Sequence, residues 1–368
     1  IIMSLLSIFK DKKVLVTGHT GFKGSWLSIW LTSLGARVVG LSKDIPSSPS
    51  NYEASRLANI VENYEIDILD FNSVNNLIQK LKPDFIFHLA AQSLVRRSYE
   101  NPLETLSTNS IGTANILEAS KFLKKPVVLV MITSDKAYDN VEWVWGYRET
   151  DRLGGKDPYS ASKGMAELVI RSYVESFFNS ADSNVTLGIA RAGNVIGGGD
   201  WALDRIVPDC INAWSKKEIV DIRNPDATRP WQHVLEPLSG YLLLGVNLFQ
   251  NKKYHGEAYN FGPSANQNYP VSELINQMSK SWNQVRWNDT SLDHQHLHEA
   301  GLLKLNCDKA MIDLNWEPTL KFEETVQMTV EWYKTYYENE NTSMFDYTLT
   351  QIDKYLEHAK SQNMKWVL

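Results

Sequence analysis

At 368 residues the chain is too long for one small core and suits two lobes, and its 43% hydrophobic content is that of an ordinary globular protein. Its 37 basic and 43 acidic residues leave a net charge of −6, which excludes a general nucleic-acid binder with a basic face; any anionic ligand has to be held by local groups. No apolar run approaches about 18 residues, so no transmembrane span and no membrane partner are expected.

The segment Ile1-to-Phe9 is too short for a secretory signal and lacks a preceding basic region; Ile1 and Ile2, ahead of Met3, read as additions to the start. Lys13-Val-Leu-Val16 reads as the first strand. Behind it come Gly18, Gly21 and Gly24 and an apolar helix from Ser25 to Leu34. Glycines there permit a tight turn and close backbone approach, and the helix amino terminus attracts a pyrophosphate. Phe22 and Lys23 lie in that loop, with Lys23 placed either to touch a phosphate or to stay solvated.

The second strand, Arg37-to-Leu41, should end in an acid if a dinucleotide ribose is gripped in the usual NAD manner. Ser42 and Lys43 stand there instead, with Asp44 one step late, which leaves NADP open. Asp84-to-Ala91 reads as a further strand whose small last residues, Ala90 and Ala91, let a cofactor backbone pass close. Gln92 and Ser93 then face a substrate, while His88 inside the apolar run reads as a satisfied core histidine.

Val127-Val-Leu-Val-Met-Ile132 has the composition of a parallel strand buried on both faces. Thr133-Ser134-Asp135-Lys136 follows at its carboxyl end, where open α/β sheets hold ligands. Asp157 can cap a helix that begins with Pro158, so Tyr159 and Lys163 fall four apart on one face. A nearby ammonium stabilises a phenolate and brings the phenol towards working pH. Val185-to-Ala190 makes another strand with Arg191-Ala-Gly-Asn194 at its end, and Gly197-Gly-Gly-Asp-Trp201 reads as a flexible turn opening the second lobe. Beyond about Ser272, amphipathic helices carry Trp332, Tyr333, Tyr336 and Tyr337 for packing. Cys210 and Cys307 have no paired spacing, so neither a disulfide framework nor a metal site is expected and a reducing cytoplasm fits.

The Tyr159–Lys163 pair behind a strand ending in Thr-Ser resembles the short-chain dehydrogenase/reductase superfamily, and Gly18-x-x-Gly21-x-x-Gly24 resembles its extended branch. Four longer blocks in order, His19-to-Trp26, Thr133-to-Tyr138, Arg191-to-Trp201 and Arg223-to-Val234, resemble the CDP-glucose 4,6-dehydratase family over about residues 10 to 335. The resemblance implies an α/β fold, a Rossmann-like doubly wound parallel sheet with a smaller mixed α/β substrate-binding lobe. Residues 1–195 with about 235–262 would form the NAD-binding part and about 196–234 with 263–368 the nucleotide-sugar part, interleaved, with Ala258-to-Gly262 returning to the first sheet.

The implied activity is a lyase reaction on CDP-glucose with NAD as a temporary hydride store, opening a route to deoxysugars of bacterial surface polysaccharide such as lipopolysaccharide O-antigen. Tyr159, supported by Lys163 and Ser134, is the expected base for the sugar 4-hydroxyl; Asp135, if burial or substrate raises its pKa, is the expected acid, and Lys136 the expected base of the elimination. Cofactor contacts fall to Gly18, Gly21, Phe22, Lys23, Gly24, Asp67, Ile68, Ala90, Ala91, Tyr159 and Lys163. Substrate contacts fall to Gln92, Asn194, Arg205 and Arg229, with Arg229 clamping the pyrophosphate. Asn109 and His233 are expected to be structural, and a homodimer or dimer of dimers through the Tyr159 helix is implied. A nucleotide-sugar 4-epimerase would share all of this except a need for Asp135 and Lys136. A simple dehydrogenase would leave NADH as product, and a non-catalytic dinucleotide sensor would not keep Ser134, Asp135, Tyr159 and Lys163 together.

Overall fold

A computed structural model describes residues 5–283, 285–291, 302–339 and 341–367; Ile1–Ser4 of the opening segment lie outside them. Seven strands form one parallel sheet: β1 (Lys13–Thr17), β2 (Arg37–Ser42), β3 (Glu62–Glu65), β4 (Phe85–His88), β5 (Val127–Ile132), β6 (Val185–Arg191) and β7 (Ala258–Asn260). Their spatial order is β7-β6-β5-β4-β1-β2-β3. Alternation along β5 explains its continuous apolar run: Val128 and Val130 enter one core, Val127, Leu129 and Met131 the other. Helices therefore cover both faces, which makes the sheet doubly wound. Chain direction around the sheet switches between β1 and β4, and the crevice at that point is where ligands bind in such folds.

The flanking helices are α1 (Phe22–Ser33), α2 (Phe71–Leu81), α3 (Gly112–Lys121), α4 (Pro158–Tyr173), α5 (Ile206–Ser215), α6 (Leu235–Gln250), α7 (Val271–Ser279), α8 (Phe322–Glu338) and α9 (Met344–Ser361). α4 starts as its sequence dictates. Asp157 accepts the Ser160 N–H at 2.9 Å and Pro158 takes the first helical position, a cap that contributes about 1 kcal/mol. α1 begins at Phe22, earlier than the apolar run alone suggests, because Gly24 lies against the backbone of Gly18 and the helix can start inside the glycine loop. β4 in turn stops at His88, short of Ala91: the Ala90 N–H leaves the ladder for the Thr17 hydroxyl at 3.2 Å. His88 is the satisfied core residue expected of it, bonded to Thr17 Oγ1 at 2.8 Å and Thr113 Oγ1 at 3.2 Å.

The smaller lobe is mixed. Val220–Ile222 pairs in parallel with Trp287–Asp289, and Thr228–Arg229 pairs antiparallel with Tyr269–Pro270. One expectation is corrected here: Gly197–Asp200 is buried, and not a flexible turn. A Cβ on Gly198 would sit 2.1 Å from Trp332 Cγ, so glycine is needed for close packing. Trp332, Tyr333 and Tyr336 surround Trp201 edge-on, as the packing reading anticipated.

α6 is apolar nearly all round, as a helix enclosed between a sheet and further helices must be. Its buried carboxyl, Glu236, accepts N–H groups of Thr319 and Leu320 and the Tyr355 hydroxyl, fastening the carboxyl-terminal helices. Burial raises the Glu236 pKa from 4.5 to about 7. The folded state thus binds more protons than the unfolded chain between those values, so this group's contribution to stability declines as pH rises through that window. Glu236→Gln should flatten the pH dependence of the urea midpoint between about pH 5 and 7; an unchanged slope would show that Glu236 does not govern it.

Candidate active site

Gly18 has a left-handed φ of 74°, and a Cβ there would meet Ala90 N at 2.8 Å. A Cβ on Gly24 would lie 2.0 Å from Gly18 O. The loop is therefore packed backbone on backbone, and α1 begins with Gly21 as its cap and no side chain on its first N–H groups. Those donors and the helix dipole fit a pyrophosphate. At the end of β2, Ser42 accepts the Thr20 N–H at 3.3 Å and bonds His19 Nδ1 at 2.9 Å. Lys43 lies near two carboxylates, Asp67 at 3.8 Å and Glu104 at 3.5 Å. Asp67 also accepts its own Leu69 N–H at 2.9 Å.

Across the crevice, Ser134 caps the turn Asp135–Ala137: its oxygen accepts the Lys136 N–H at 3.2 Å, and its hydroxyl donates to Asp135 Oδ1 at 2.9 Å. Ser134, Asp135, Tyr159 and Lys163 are all buried, whereas Lys136 is half-buried. Burial dominates the electrostatics. It pushes the Tyr159 phenol up to about 12, with Ser134 opposing, and pulls Lys163 down to about 8, with Glu167 opposing. Lys23, whose charge neighbours include Arg205, Asp135 and Lys163, is likewise lowered to about 8, first by desolvation.

The candidate substrate residues divide. Arg205 donates to Asp200 at 2.7 Å and to Ser93 at 3.1 Å, and Arg229 to the Thr228 carbonyl at 2.9 Å. Gln92 spends its amide on Leu94 and Thr105, while Asn109 brackets its backbone, so Gln92 shapes the wall and offers no free amide. Asn194 donates to Asp135 Oδ2 at 3.3 Å, which makes it a partner of that carboxyl inside the protein. His233 is structural, buried edge-on against Trp26.

Two residues to which the sequence pattern assigns no role join these parts. Glu167 lies four residues beyond Lys163 on the same buried face of α4, a spacing that is legible in the sequence. It accepts Arg191 Nε at 2.7 Å, a second Arg191 N–H at Nη2 and the Thr133 hydroxyl at 2.6 Å. Arg191 also donates to the Tyr138 hydroxyl at 2.6 Å and the Glu149 carbonyl at 3.1 Å.

All the expected catalytic, cofactor and substrate residues line one cleft of about 2040 Å³. A single small ligand needs roughly 300–1,000 Å³, so the cleft has room for a dinucleotide and a nucleotide sugar side by side. The doubly wound sheet, the glycine loop at its switch point and the buried Tyr–Lys pair opposite define an extended short-chain dehydrogenase/reductase. A family model described as GDP-mannose 4,6 dehydratase matches residues 15–329, and the chain belongs to that family. It is 48% identical over 340 residues to the CDP-glucose 4,6-dehydratase of Salmonella typhimurium, covering 91% of this chain and 94% of that one. Epimerase Mth375 from Methanothermobacter thermautotrophicus shares the fold with a TM-score of 0.76 at 24% identity, covering 91% of this chain and 95% of that one. DesIV, a dTDP-glucose 4,6-dehydratase from Streptomyces venezuelae solved with NAD and TYD bound, does so at 0.72 and 23%, covering 88% and 97%.

Because Glu167 and Arg191 satisfy each other away from water, removing one partner is expected to cost more than removing both. Arg191→Met should destabilise the protein by about 3–5 kcal/mol, and adding Glu167→Met should recover much of that loss. Urea unfolding of Arg191→Met, Glu167→Met and the double variant measures it; a double loss equal to the sum of the two single losses would mean the pair is not coupled.

Proposed function

We propose that the protein is a lyase converting CDP-D-glucose to CDP-4-dehydro-6-deoxy-D-glucose and water, with NAD as cofactor. One observation carries the reading: a hydride-transfer pair, Tyr159 and Lys163, shares a buried site with an acid, Asp135, and a base candidate, Lys136, directly behind the strand hydroxyl. A 4-epimerase has no use for the last two. The relative in Salmonella typhimurium, named CDP-glucose 4,6-dehydratase, supports the choice of nucleotide.

Gly18, Gly21, Phe22, Lys23 and Gly24 would hold the cofactor pyrophosphate, Asp67 and Ile68 the adenine end, and Ala90 and Ala91 the wall, with Tyr159 and Lys163 beside the nicotinamide ribose. The carboxylates of Asp67 and Glu104 around Lys43 oppose a 2′-phosphate, which favours NAD over NADP. Bound there, NAD supplies a reversible store for the hydride that leaves C4 and later reaches C6. Tyr159 takes the proton of the 4-hydroxyl while Ser134 holds the same oxygen. The resulting 4-ketone acidifies C5; Lys136 removes that proton, and Asp135 protonates O6 as water departs. Lys136 returns its proton to C5 as C6 is reduced. Arg205 and Arg229 are suited to the substrate pyrophosphate. Residues 1–195 with about 235–262 would carry the cofactor, and about 196–234 with 263–368 the nucleotide sugar. The product is a precursor class for deoxysugars of surface polysaccharide.

The test is incubation with CDP-glucose and sub-stoichiometric NAD, expected to give many equivalents of 4-keto-6-deoxy product with no net NADH. Tyr159→Phe should bind nucleotide normally yet lose roughly 100- to 10,000-fold in turnover. Asp135→Asn and Lys136→Met should oxidise C4 but stall before water is lost. Release of product by both at near the unaltered rate would remove them from the elimination.

We further propose a homodimer through α4. Met165 and Leu168 on that helix, together with Leu103 and Ile111 on neighbouring segments, are exposed, so this apolar face is not consumed inside the subunit. Leu168→Glu should then convert a dimer to a monomer by light scattering at micromolar concentration. A monomer before the substitution would dismiss the interface.

A further inference from the structure

β2 ends in Ser42, on the wall of the cleft, at the place where an acid grips a dinucleotide ribose in the usual NAD manner. A serine hydroxyl has one proton to donate and two lone pairs that accept. Left to itself it would suit a free ribose 2′-hydroxyl and a 2′-phosphate equally. The groups buried behind Ser42 remove that choice.

Asn63 on β3 donates from Nδ2 to the carbonyls of Ala58 at 3.1 Å and Val61 at 2.7 Å, which fixes its amide and leaves Oδ1 as an acceptor. That oxygen receives the Tyr52 hydroxyl at 3.0 Å and lies 2.8 Å from His19 Nε2. Only a protonated Nε2 can bond to it. Burial lowers the His19 pKa, against the Asn63 side chain and the Leu41 backbone, so the ring is neutral and its single proton sits on Nε2. Nδ1 is then an acceptor, and its 2.9 Å bond with Ser42 Oγ runs from serine to histidine. The Thr20 N–H takes one Ser42 lone pair at 3.3 Å. What remains on Ser42 is a single lone pair. Gly40 in β2 lets the imidazole lie there, since a Cβ on it would stand 2.2 Å from His19 Cδ2.

We propose that the Asn63–His19 chain makes Ser42 a pure hydrogen-bond acceptor towards the cofactor ribose, so that it stands in for the missing acid and selects NAD over NADP. A free 2′-hydroxyl can donate to the remaining lone pair as it would to a carboxylate. A 2′-phosphate offers acceptor oxygens, and to meet them Ser42 would have to turn its proton away from Nδ1 and leave that buried nitrogen without a donor. The carboxylates around Lys43 oppose the phosphate by charge, and Ser42 opposes it by the direction of one hydrogen bond. The proposal rests on the reading of the β2 end as the adenosine-ribose site of NAD.

The test is calorimetric titration of the full chain and of Ser42→Ala with NAD, 2′-deoxy-NAD and NADP. The substitution should weaken NAD roughly 3- to 10-fold relative to 2′-deoxy-NAD, the value of one hydrogen bond. NADP should keep its affinity relative to 2′-deoxy-NAD. Ser42 also bonds Thr20 and His19 inside the protein, but losing those bonds weakens all three ligands alike and cancels from the ratios. A uniform loss across the three, or a loss for NADP that matches the loss for NAD, overturns the proposal. Nitrogen NMR of the histidine-labelled protein reads the tautomer without any ligand: His19 should carry its proton on Nε2, and a proton on Nδ1 overturns the chain. Failure of the cofactor reading itself would look different, because the unaltered protein would then bind none of the three dinucleotides.

Discussion

The buried Glu167–Arg191 pair fixes the relation between the two halves of the chemistry. Desolvating two charges costs several kcal/mol per ion unless both are fully bonded, and here they are: Glu167 accepts from Arg191 and Thr133, while Arg191 also reaches the Tyr138 hydroxyl and the Glu149 carbonyl. Those bonds join α4, the end of β5, the end of β6 and the loop beyond Lys136. Tyr159 and Lys163 ride on the first of these, and Ser134, Asp135 and Lys136 on the second. The proposed base of the oxidation is therefore tied through this pair to the proposed groups of the elimination. Glu167 is also the charge that opposes the loss of the Lys163 proton.

That opposition matters because burial works against every charge the site needs. In sequence the Tyr-x-x-x-Lys spacing suggests a phenolate stabilised by its lysine. In the folded cleft Tyr159 is raised to about 12 and Lys163 lowered to about 8, each chiefly by desolvation. Spacing supplies proximity; it cannot supply the solvent that charges lose. A ready phenolate is thus not a property of the protein alone. Positive charge has to arrive with the ligands, so proton removal from a sugar is confined to a loaded cleft, where the hydride also has somewhere to go.

Features set within a few residues are legible in the sequence itself. β5 declares itself by an unbroken apolar run, α4 by Asp157 and Pro158, and the phosphate cradle by three glycines at fixed spacing. What the sequence hides depends on partners far along the chain. Gly197–Gly199 looks like a flexible turn until Trp332, more than a hundred residues on, is seen against Gly198. Gln92 looks available until Thr105 and Leu94 take its amide. Arg191 reads as the polar end of a strand until its carboxylate partner is brought to it by α4.

Asp135 shows how segments beyond β6 reach the cleft. Its Oδ2 is bounded by Gly193 and bonded by Asn194, a residue held at a left-handed φ of 53°. Those two residues are themselves pinned by Gln232: its Nε2 donates to the Gly193 carbonyl at 2.8 Å, and its N–H to the Asn194 carbonyl at 3.1 Å. Gln232 begins the short strand that pairs with Val195–Ile196, only three residues beyond Arg229, where the proposed pyrophosphate clamp sits. A substrate held at Arg229 would thus bear on the same few residues that orient the carboxyl. Tyr159 and Lys163 are anchored from α4, where Glu167 binds Arg191 and Thr133. The proposed base of the oxidation thus stands on α4, and the proposed acid of the elimination beside the residues that Gln232 holds.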